Sequence, residues 1–283
     1  MKIAVTAATG HLGRAIVNAL LNHPAKPEVI GVTRNPEKIE SPKIEYRKGD
    51  YGDKSSYIKA LEAVDAVLLV SGMDDPSKRV QQHRNVIEAA IENGVKKIVY
   101  TSIVGNAQKA GFSPVVASNR QTEMDVQESG LNWSIGRNGL YIEPDIEYVN
   151  NYLAAGKIAN CGGDGKCGYT TREALGFAYA SMLLGDEHNG QTYNLTGPAI
   201  TQQELTDLFN TVFGLNLKYE SMTVEDYRTE RIAELGEFMG TIISGIYEGI
   251  RAGYSDVASD YLTAAGREHI DWESYFHRMS QKI

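Results

Sequence analysis

The sequence predicts an α/β fold with a doubly wound parallel sheet, and three observations support this prediction. Apolar runs alternate with segments of helical apolar spacing six times in about the first 140 residues. One of these runs, Ala66–Val70, is apolar throughout, as a parallel strand covered on both faces requires. The first run, Ile3–Val5, leads through a glycine-containing turn into a helix with one apolar face, the arrangement that opens many such sheets.

Six strands and the helices between them are predicted in the first half of the chain. Asp53 is a typical N-cap for the second helix, and Gly94 and Gly130 are typical stops for the next two. The predicted strands are Ile3–Val5, Glu28–Arg34, Ile44–Lys48, Ala66–Val70, Lys97–Ser102 and Trp133–Gly136. The helices after the first are predicted at about Lys54–Ala63, Pro76–Asn93 and Val116–Ser129.

The second half is less regular and predicts a smaller α+β region. Thr201 and Glu204 form a capping-box pattern at the start of a helix that ends near Phe213. The other predicted segments are a helix over Thr170–Leu184, strands over Thr192–Leu195 and Leu217–Glu220, and a last helix around Asp271–Met279.

The turn over Thr9–Gly13 is the strongest functional signal. A helix N-terminus directs backbone amides and the positive end of its dipole at a phosphate. Gly10 would let the backbone approach a pyrophosphate, and Gly13 would let the helix lie close to the strand, although Ala7 replaces the first glycine of the usual pattern. We therefore expect a Rossmann-type NAD(P)-binding domain over residues 1–140 and a smaller substrate or cap region over residues 141–283. Whether the second region contributes strands to the sheet of the first is left open by the sequence.

Arg34 ends the second strand, where a dinucleotide usually places its adenosine ribose. An acidic residue there binds a free 2′-hydroxyl, whereas an arginine accommodates a 2′-phosphate. No acidic residue follows the strand before Glu37, so the sequence favours NADPH over NADH. The alternative is a solvent-facing arginine without a ligand.

Small and polar residues end the later strands of the predicted sheet. Carboxyl ends of parallel strands meet at one edge, so these residues are expected along a bound dinucleotide. They are Ser71, Gly72, Met73, Ser102, Asn138, Gly139 and Tyr141. His83 has no metal-ligand partners nearby in the sequence, and we expect it to pack or to bridge helices.

Composition argues against several classes of protein. The 28 basic and 36 acidic residues give a net charge of -8 without a basic block, which disfavours direct nucleic-acid binding. No apolar run has the roughly 20 residues of a membrane span, and Met1-Lys2 leads straight into a strand, so we expect a cytoplasmic protein. Cys161 and Cys167 lack further ligands at metal spacing, so no metal site is expected.

Several segments in order resemble the NmrA-like group of atypical short-chain dehydrogenases. Within the group, the chain is similar to bacterial NADPH:quinone oxidoreductases and to triphenylmethane reductases. The segments that carry the resemblance are Thr6–Gly13, Val32–Pro36, Asp50–Asp53, Gln82–Ala90, Tyr100–Ser102, Arg137–Tyr141 and Gly163–Lys166.

The resemblance implies a role for each matching residue. It places the dinucleotide phosphates on Gly10, His11, Leu12 and Gly13, with Thr9 beside them, and the 2′-phosphate on Arg34. It places the ribose and nicotinamide side against Ser71, Gly72 and Met73, and the nicotinamide end near Asn138, Gly139 and Tyr141.

The catalytic residues are not identified by the sequence. Short-chain dehydrogenases that reduce ketones use a Tyr-x-x-x-Lys pair, and the predicted helix Val116–Ser129 contains no tyrosine. The absence of this pair should affect quinone reduction less, because positioning of the hydride donor can provide more of the rate enhancement. Tyr141 is the first candidate for a proton donor or orienting group and Ser102 the second; packing and strand-capping roles are the alternatives.

Two functions of different class remain at this point. The first is NADPH-dependent hydride transfer to a quinone or similar flat conjugated small molecule. The second is a redox sensor that binds NAD(P) without turnover and acts through a protein partner; sugar-nucleotide epimerisation is weaker, because it relies on the same absent pair. The physiological acceptor and the oligomeric state stay open.

Overall fold

The computed structural model describes residues 1–39 and 43–281. Its strands are β1 (Lys2–Val5), β2 (Glu28–Thr33), β3 (Glu45–Lys48), β4 (Ala66–Leu69), β5 (Lys97–Ile103), β6 (Asn132–Asn138), β7 (Leu140–Tyr141), β8 (Lys157–Asn160), β9 (Lys166–Cys167), β10 (Tyr169–Thr170), β11 (Gln191–Leu195), β12 (Ile200–Thr201) and β13 (Lys218–Ser221). Its α-helices are α1 (His11–Leu21), α2 (Lys54–Ala60), α3 (Pro76–Glu92), α4 (Ser113–Gln127), α5 (Glu143–Glu147), α6 (Val149–Ala155), α7 (Arg172–Leu184), α8 (Gln202–Phe213), α9 (Val224–Arg251), α10 (Tyr261–Ala265) and α11 (Trp272–Ser280).

A parallel seven-stranded sheet forms the centre of the molecule. Its strand order is β3-β2-β1-β4-β5-β6-β11, and each neighbouring pair is parallel. The chain order reverses at β1, with β2 and β3 on one side and β4 to β6 on the other, so the ligand crevice of such a sheet lies beside β1. The predicted doubly wound α/β fold is confirmed.

Apolar side chains of the sheet alternate between two layers of helices. Ile3, Val5 and Leu68 face a cluster that includes α1 and α7. Ala4 and Val67 face the opposite way, into a cluster with α2, α3 and α4. Both faces of the central strands are therefore covered, which explains why β4 is apolar throughout.

The second half of the chain contributes to this sheet. β11 pairs with β6 from Gln191 opposite Ser134 to Leu195 opposite Asn138. α7 lies on the same face as α1, and a Cβ built on Gly176 would be 2.8 Å from the carbonyl oxygen of Ala15. Strands are therefore shared between the two halves, and a domain boundary at residue 140 stays a prediction.

A third apolar cluster supports the smaller α+β region. It includes Ile142, Ile158, Leu205, Phe209 and Phe276 from α8, α11 and the segments after β6. Short strand pairs accompany it: β8 with β13, β9 with β12 and β7 with β10. The predicted capping box at the start of α8 is present in both directions.

Some predicted boundaries were wrong, for two physical reasons. β6 continues through Arg137 and Asn138, which were predicted at a loop tip, because β5 and β11 pair with it on both sides. β11 is distant in sequence, so no local pattern shows this pairing. α4 begins at Ser113 rather than near Val116, because Pro114 is accepted in a first helical turn, where its missing N–H needs no partner.

Candidate functional site

The turn between β1 and α1 presents a row of backbone donors. Gly10 is the N-cap of α1, and no side chain caps this helix. The first amides of a helix have no partner inside it, so those of His11, Leu12 and Gly13 are available to an anion. Ala7 adopts a left-handed conformation with φ of 46°, where the usual pattern has glycine.

Gly13 is required by the close contact between α1 and this turn. A Cβ built on Gly13 would be 2.3 Å from the carbonyl oxygen of Ala7 and 2.9 Å from Cα of Ala8, both backbone atoms. A Cβ on Gly10 would be 3.3 Å from Ala7 O, and its φ of -72° suits any residue. The two glycines therefore differ: Gly13 serves packing, whereas Gly10 leaves room above the turn.

The end of β2 is basic and lies next to the glycine turn. Arg34 is exposed, and the hydroxyls of Thr9 and Thr33 are 3.3 Å apart. A cavity of about 470 Å³ beside the turn is lined by Arg14, Lys38 and Lys43 and by no acidic residue of the described chain. Sequence reasoning missed these three bases; the only local signal was that Arg14 directly follows Gly13.

The segment after β4 is held by buried hydrogen bonds. Ser71 N donates to Thr101 Oγ1 at 2.8 Å, and Gly72 N donates to His83 Nε2 at 3.0 Å. Because Nε2 accepts, Nδ1 carries the proton and donates to Thr122 Oγ1 at 2.8 Å. His83 thus bridges α3, α4 and the β4 loop, as expected, and burial lowers its pKa to about 3.

Arg79 is a buried cation behind the same segment, and the sequence did not point to it. It is 4% exposed and donates from Nη2 to Ser71 Oγ at 2.5 Å and to Asn119 Oδ1 at 3.1 Å. Asn119 Oδ1 also accepts from Tyr100 OH at 2.6 Å. Within residues 1–39 and 43–281, no carboxylate pairs with Arg79 and its Nε has no acceptor.

Ser102 lies in a buried ionic network at the ends of β5 and β6. Its hydroxyl donates to Glu123 Oε1 at 2.5 Å and accepts from Arg120 Nη1 at 3.1 Å. Glu123 also accepts from Arg120 at 2.7 Å and from Arg137 at 3.0 and 2.6 Å. The proton of Ser102 is therefore engaged by a carboxylate and is not free for another partner.

Tyr141 has a different hydrogen-bonding pattern. Tyr179 OH donates to Asn138 Oδ1 at 2.6 Å, and Asn138 Nδ2 donates to Tyr141 OH at 3.2 Å. Arg172 lies 5.6 Å from the centre of the Tyr141 ring. The Tyr141 hydroxyl accepts here, so its proton is left for another partner; burial raises the pKa of Tyr141 and keeps it protonated at neutral pH.

The predicted site residues follow adjacent strands at one edge of the sheet. The glycine turn follows β1, Ser71–Met73 follows β4, Ser102 is the penultimate residue of β5 and Asn138 ends β6. The side chain of Met73 is 92% exposed. The side chain of Leu12 packs into the core, so only the backbone of Leu12 can contact a ligand. Their contacts with a cofactor stay predictions.

Cys161 and Cys167 lie outside this edge. Both thiols are free and buried. The described part of the chain contains no group of His, Cys, Asp and Glu able to hold a metal ion. None of its helices is long and apolar enough to cross a membrane.

A sequence profile described as NAD(P)H-binding matches residues 7–157. The chain belongs to this NAD(P)H-binding, NmrA-like family. Quinone oxidoreductase 2 of Escherichia coli is 32% identical to it over 231 residues, which are 80% of this chain and 79% of the relative.

Two solved structures of this family share the fold over nearly the whole chain. Triphenylmethane reductase of a Citrobacter species complexed with NADP(H) has 28% identity and a TM-score of 0.89, covering 99% of this chain and 100% of the other. The Escherichia coli NADPH-dependent quinone oxidoreductase complexed with NADPH has 27% identity and a TM-score of 0.84, covering 98% and 99%.

The two glycines give a paired prediction. Gly13→Ala should lower thermal stability, with a loss of about 1–3 kcal/mol, because the new Cβ meets backbone that has to move. Gly10→Ala should lower the melting temperature less, because its Cβ would be 3.3 Å from the Ala7 oxygen and needs only a small shift, and it should weaken nucleotide binding. Thermal unfolding and nucleotide titration of both variants check this, and equal melting temperatures would contradict it.

His83 predicts a pH-dependent loss of stability. Its folded pKa of about 3 is below the unfolded value, so the unfolded chain binds an extra proton as the pH falls below about 6.5. The free energy of unfolding should therefore fall by up to about 1.4 kcal/mol per pH unit between about 6.5 and 3. Urea unfolding of His83→Gln should lose that slope, whereas the exposed His277→Gln should keep it.

Proposed function

We propose that the chain is an NADPH-dependent oxidoreductase that reduces a quinone or similar flat conjugated acceptor by hydride transfer. The observation that carries the proposal is the uncapped glycine turn beside a basic strand end, Arg34, in a sheet of this family. Relatives named as quinone oxidoreductase, furan-derivative reductase and azoreductase support the reaction class. No observation favours the binding-only sensor.

The residues present fit NADPH. The free amides of His11, Leu12 and Gly13 would hold the pyrophosphate, and Arg34 would hold the 2′-phosphate, with the bases Arg14 and Lys38 in the cavity beside the same turn. The segment Ser71–Met73, fixed from behind by His83, would border the ribose. When bound, NADPH supplies the hydride.

Tyr141 is the side chain best placed to orient an acceptor. Asn138 donates to its oxygen, so the phenol can donate its own proton to an acceptor oxygen. The raised pKa of Tyr141 keeps that proton in place. Ser102 is the weaker candidate, because its proton is engaged by Glu123.

The inward face of α4 disfavours ordinary ketone reduction. This helix contains no tyrosine and no lysine, and its buried Asn119 and Glu123 are both held by hydrogen bonds. A neutral ketone needs a proton at its oxygen as the hydride arrives, whereas a quinone is already electrophilic. The side chains of this face offer no free proton, which is compatible with reduction of a quinone.

A cytoplasmic location is part of the proposal. It is supported by the free state of Cys161 and Cys167, which is typical of a reducing compartment.

Measurement of NADPH oxidation with p-benzoquinone and menadione tests the proposed function. An acceptor-dependent rate is expected. A binding-only protein would instead show quenching of Trp133 or Trp272 fluorescence by the nucleotide and no rate with any acceptor, and that result would overturn the enzymatic proposal.

Cofactor preference gives a further prediction. Arg34→Ala should raise the Kd of NADPH roughly 10- to 150-fold, because a charge-assisted contact is worth roughly 1.5–3 kcal/mol. The Kd of NADH should change little. Arg278→Ala, which removes an exposed pair with Glu173, is the control. Equal losses for both nucleotides would show that Arg34 does not contact the 2′-phosphate.

A further inference from the structure

The inward positions of α4 carry no free charge or proton. Asn119 Oδ1 accepts from Tyr100 OH at 2.6 Å and from Ser71 Oγ at 2.9 Å. The carboxylate of Glu123, 5% exposed, is shared by Ser102 and two arginines. Arg120, which follows Asn119 on α4, contributes a guanidinium to this network. The sequence did not predict this contact.

Positive charge exceeds negative charge around these residues. Arg137 makes a two-bond contact with Glu123, and Arg120 shares one of the same oxygens. Arg79, on the α3 side, has no carboxylate partner in the described chain. Two guanidiniums, of Arg120 and Arg137, thus contact one carboxylate, and the buried guanidinium of Arg79 on the α3 side contacts none. An excess of positive charge that is partly withdrawn from water is costly unless an anion is bound.

The other charged groups packed nearby do not cancel this excess. Arg84 on α3 is paired with Asp125 on α4 at 2.8 Å. Glu248 on α9 is paired with Arg228 at 2.9 Å and accepts from the amide of Gly111. Tyr100 on β5 is neutral, because burial raises its pKa to about 12. The excess of positive charge therefore stays at the ends of β5 and β6.

Arg120 lies beside the part of the edge where the acceptor is expected. Its guanidinium contacts Ser102 Oγ at 3.1 Å and the carbonyl oxygen of Gly105 at 3.3 Å. In the register of β5 and β6, Ser102 is opposite Arg137 and Ile103 is opposite Asn138, which holds Tyr141. The side chain of Arg120 is 24% exposed, so solvent and a ligand can reach it.

We propose that Arg120 stabilises the negative oxygen that forms on the acceptor during reduction, in place of the absent Tyr-x-x-x-Lys pair. The proposal rests on the proposed function and narrows its substrate class to acceptors that become phenolate-like anions. Preorganised donors aimed at developing charge are among the largest contributions to catalysis. Arg120 is well suited because a guanidinium stays charged and cannot itself give up the proton.

The reaction balances with NADPH as the reductant. A quinone that takes a hydride with its electron pair from NADPH, which is oxidised to NADP⁺, becomes a hydroquinone monoanion. A proton from water then completes the hydroquinone. Arg120 forms no covalent bond; it donates hydrogen bonds to the anionic oxygen while that charge exists.

Arg120→Gln tests the proposal, with Arg84→Gln as the matched control for loss of an arginine–carboxylate pair at α4. In Arg120→Gln, kcat with menadione should fall roughly 100- to 1,000-fold, and the Kd of NADPH should stay within about 2-fold. Arg120→Lys, which keeps the charge, should recover part of kcat. Arg84→Gln should retain the rate of the unmodified protein.

A binding measurement separates this site from turnover. Para-nitrophenol is a phenolate mimic whose ionisation is visible by absorbance. Bound to the protein with NADP⁺, its pKa should fall by about one unit, and Arg120→Gln should abolish that fall while Arg120→Lys and Arg84→Gln keep it. A shift without any quinone turnover would refute the proposed function and leave the anion site standing.

Two results would overturn the assignment of Arg120. One is a kcat and a para-nitrophenol pKa that are the same in Arg120→Gln and Arg84→Gln. The other is equal loss of both signals in Arg120→Gln and Arg120→Lys with a lowered melting temperature in each, because that pattern shows a purely structural role for the network with Glu123.

Discussion

The contact between the N-terminus of α1 and the turn after β1 is the constraint on which the site depends. Backbone approaches backbone there so closely that Gly13 has no room for a side chain. This approach sets the free amides of α1 at the carboxyl edge, next to the point where the strand order reverses. A helix displaced from the turn would carry those donors away from any phosphate crossing the edge.

The rest of the edge is held by buried polar groups. His83 stays neutral and links the amide of Gly72 to α4, and Asn119 gathers hydrogen bonds from β4, β5 and α3. Every side-chain polar atom of His83 and Asn119 has a partner, and buried hydrogen bonds of this kind make the groups that they join rigid. Rigidity suits a family that binds NAD(P)H across strand ends, because hydride transfer depends on position.

The α4 helix separates this chain from the ketone-reducing enzymes of its superfamily. The helix contains no tyrosine or lysine to supply a proton, and its buried Asn119 and Glu123 are engaged by neighbours, among them the guanidiniums of Arg120 and Arg137. Charge stabilisation without proton donation suits an acceptor whose reduced form is a stable anion. Tyr141 on β7 accepts a hydrogen bond from Asn138, and its role toward an acceptor is part of the proposal.

The sequence by itself determined the fold class, the succession of six strands along the chain and the position of the glycine turn, because apolar periodicity and turn residues act locally. It also placed Arg34 and Ser71–Met73 at strand ends. Tertiary structure decided what depends on distant partners: the extension of β6, the entry of β11 into the sheet, the basic cavity of Arg14, Lys38 and Lys43, and the charge around Glu123. Strand pairing and ionic contacts join residues that are far apart in the chain, so neither produces a local sequence pattern.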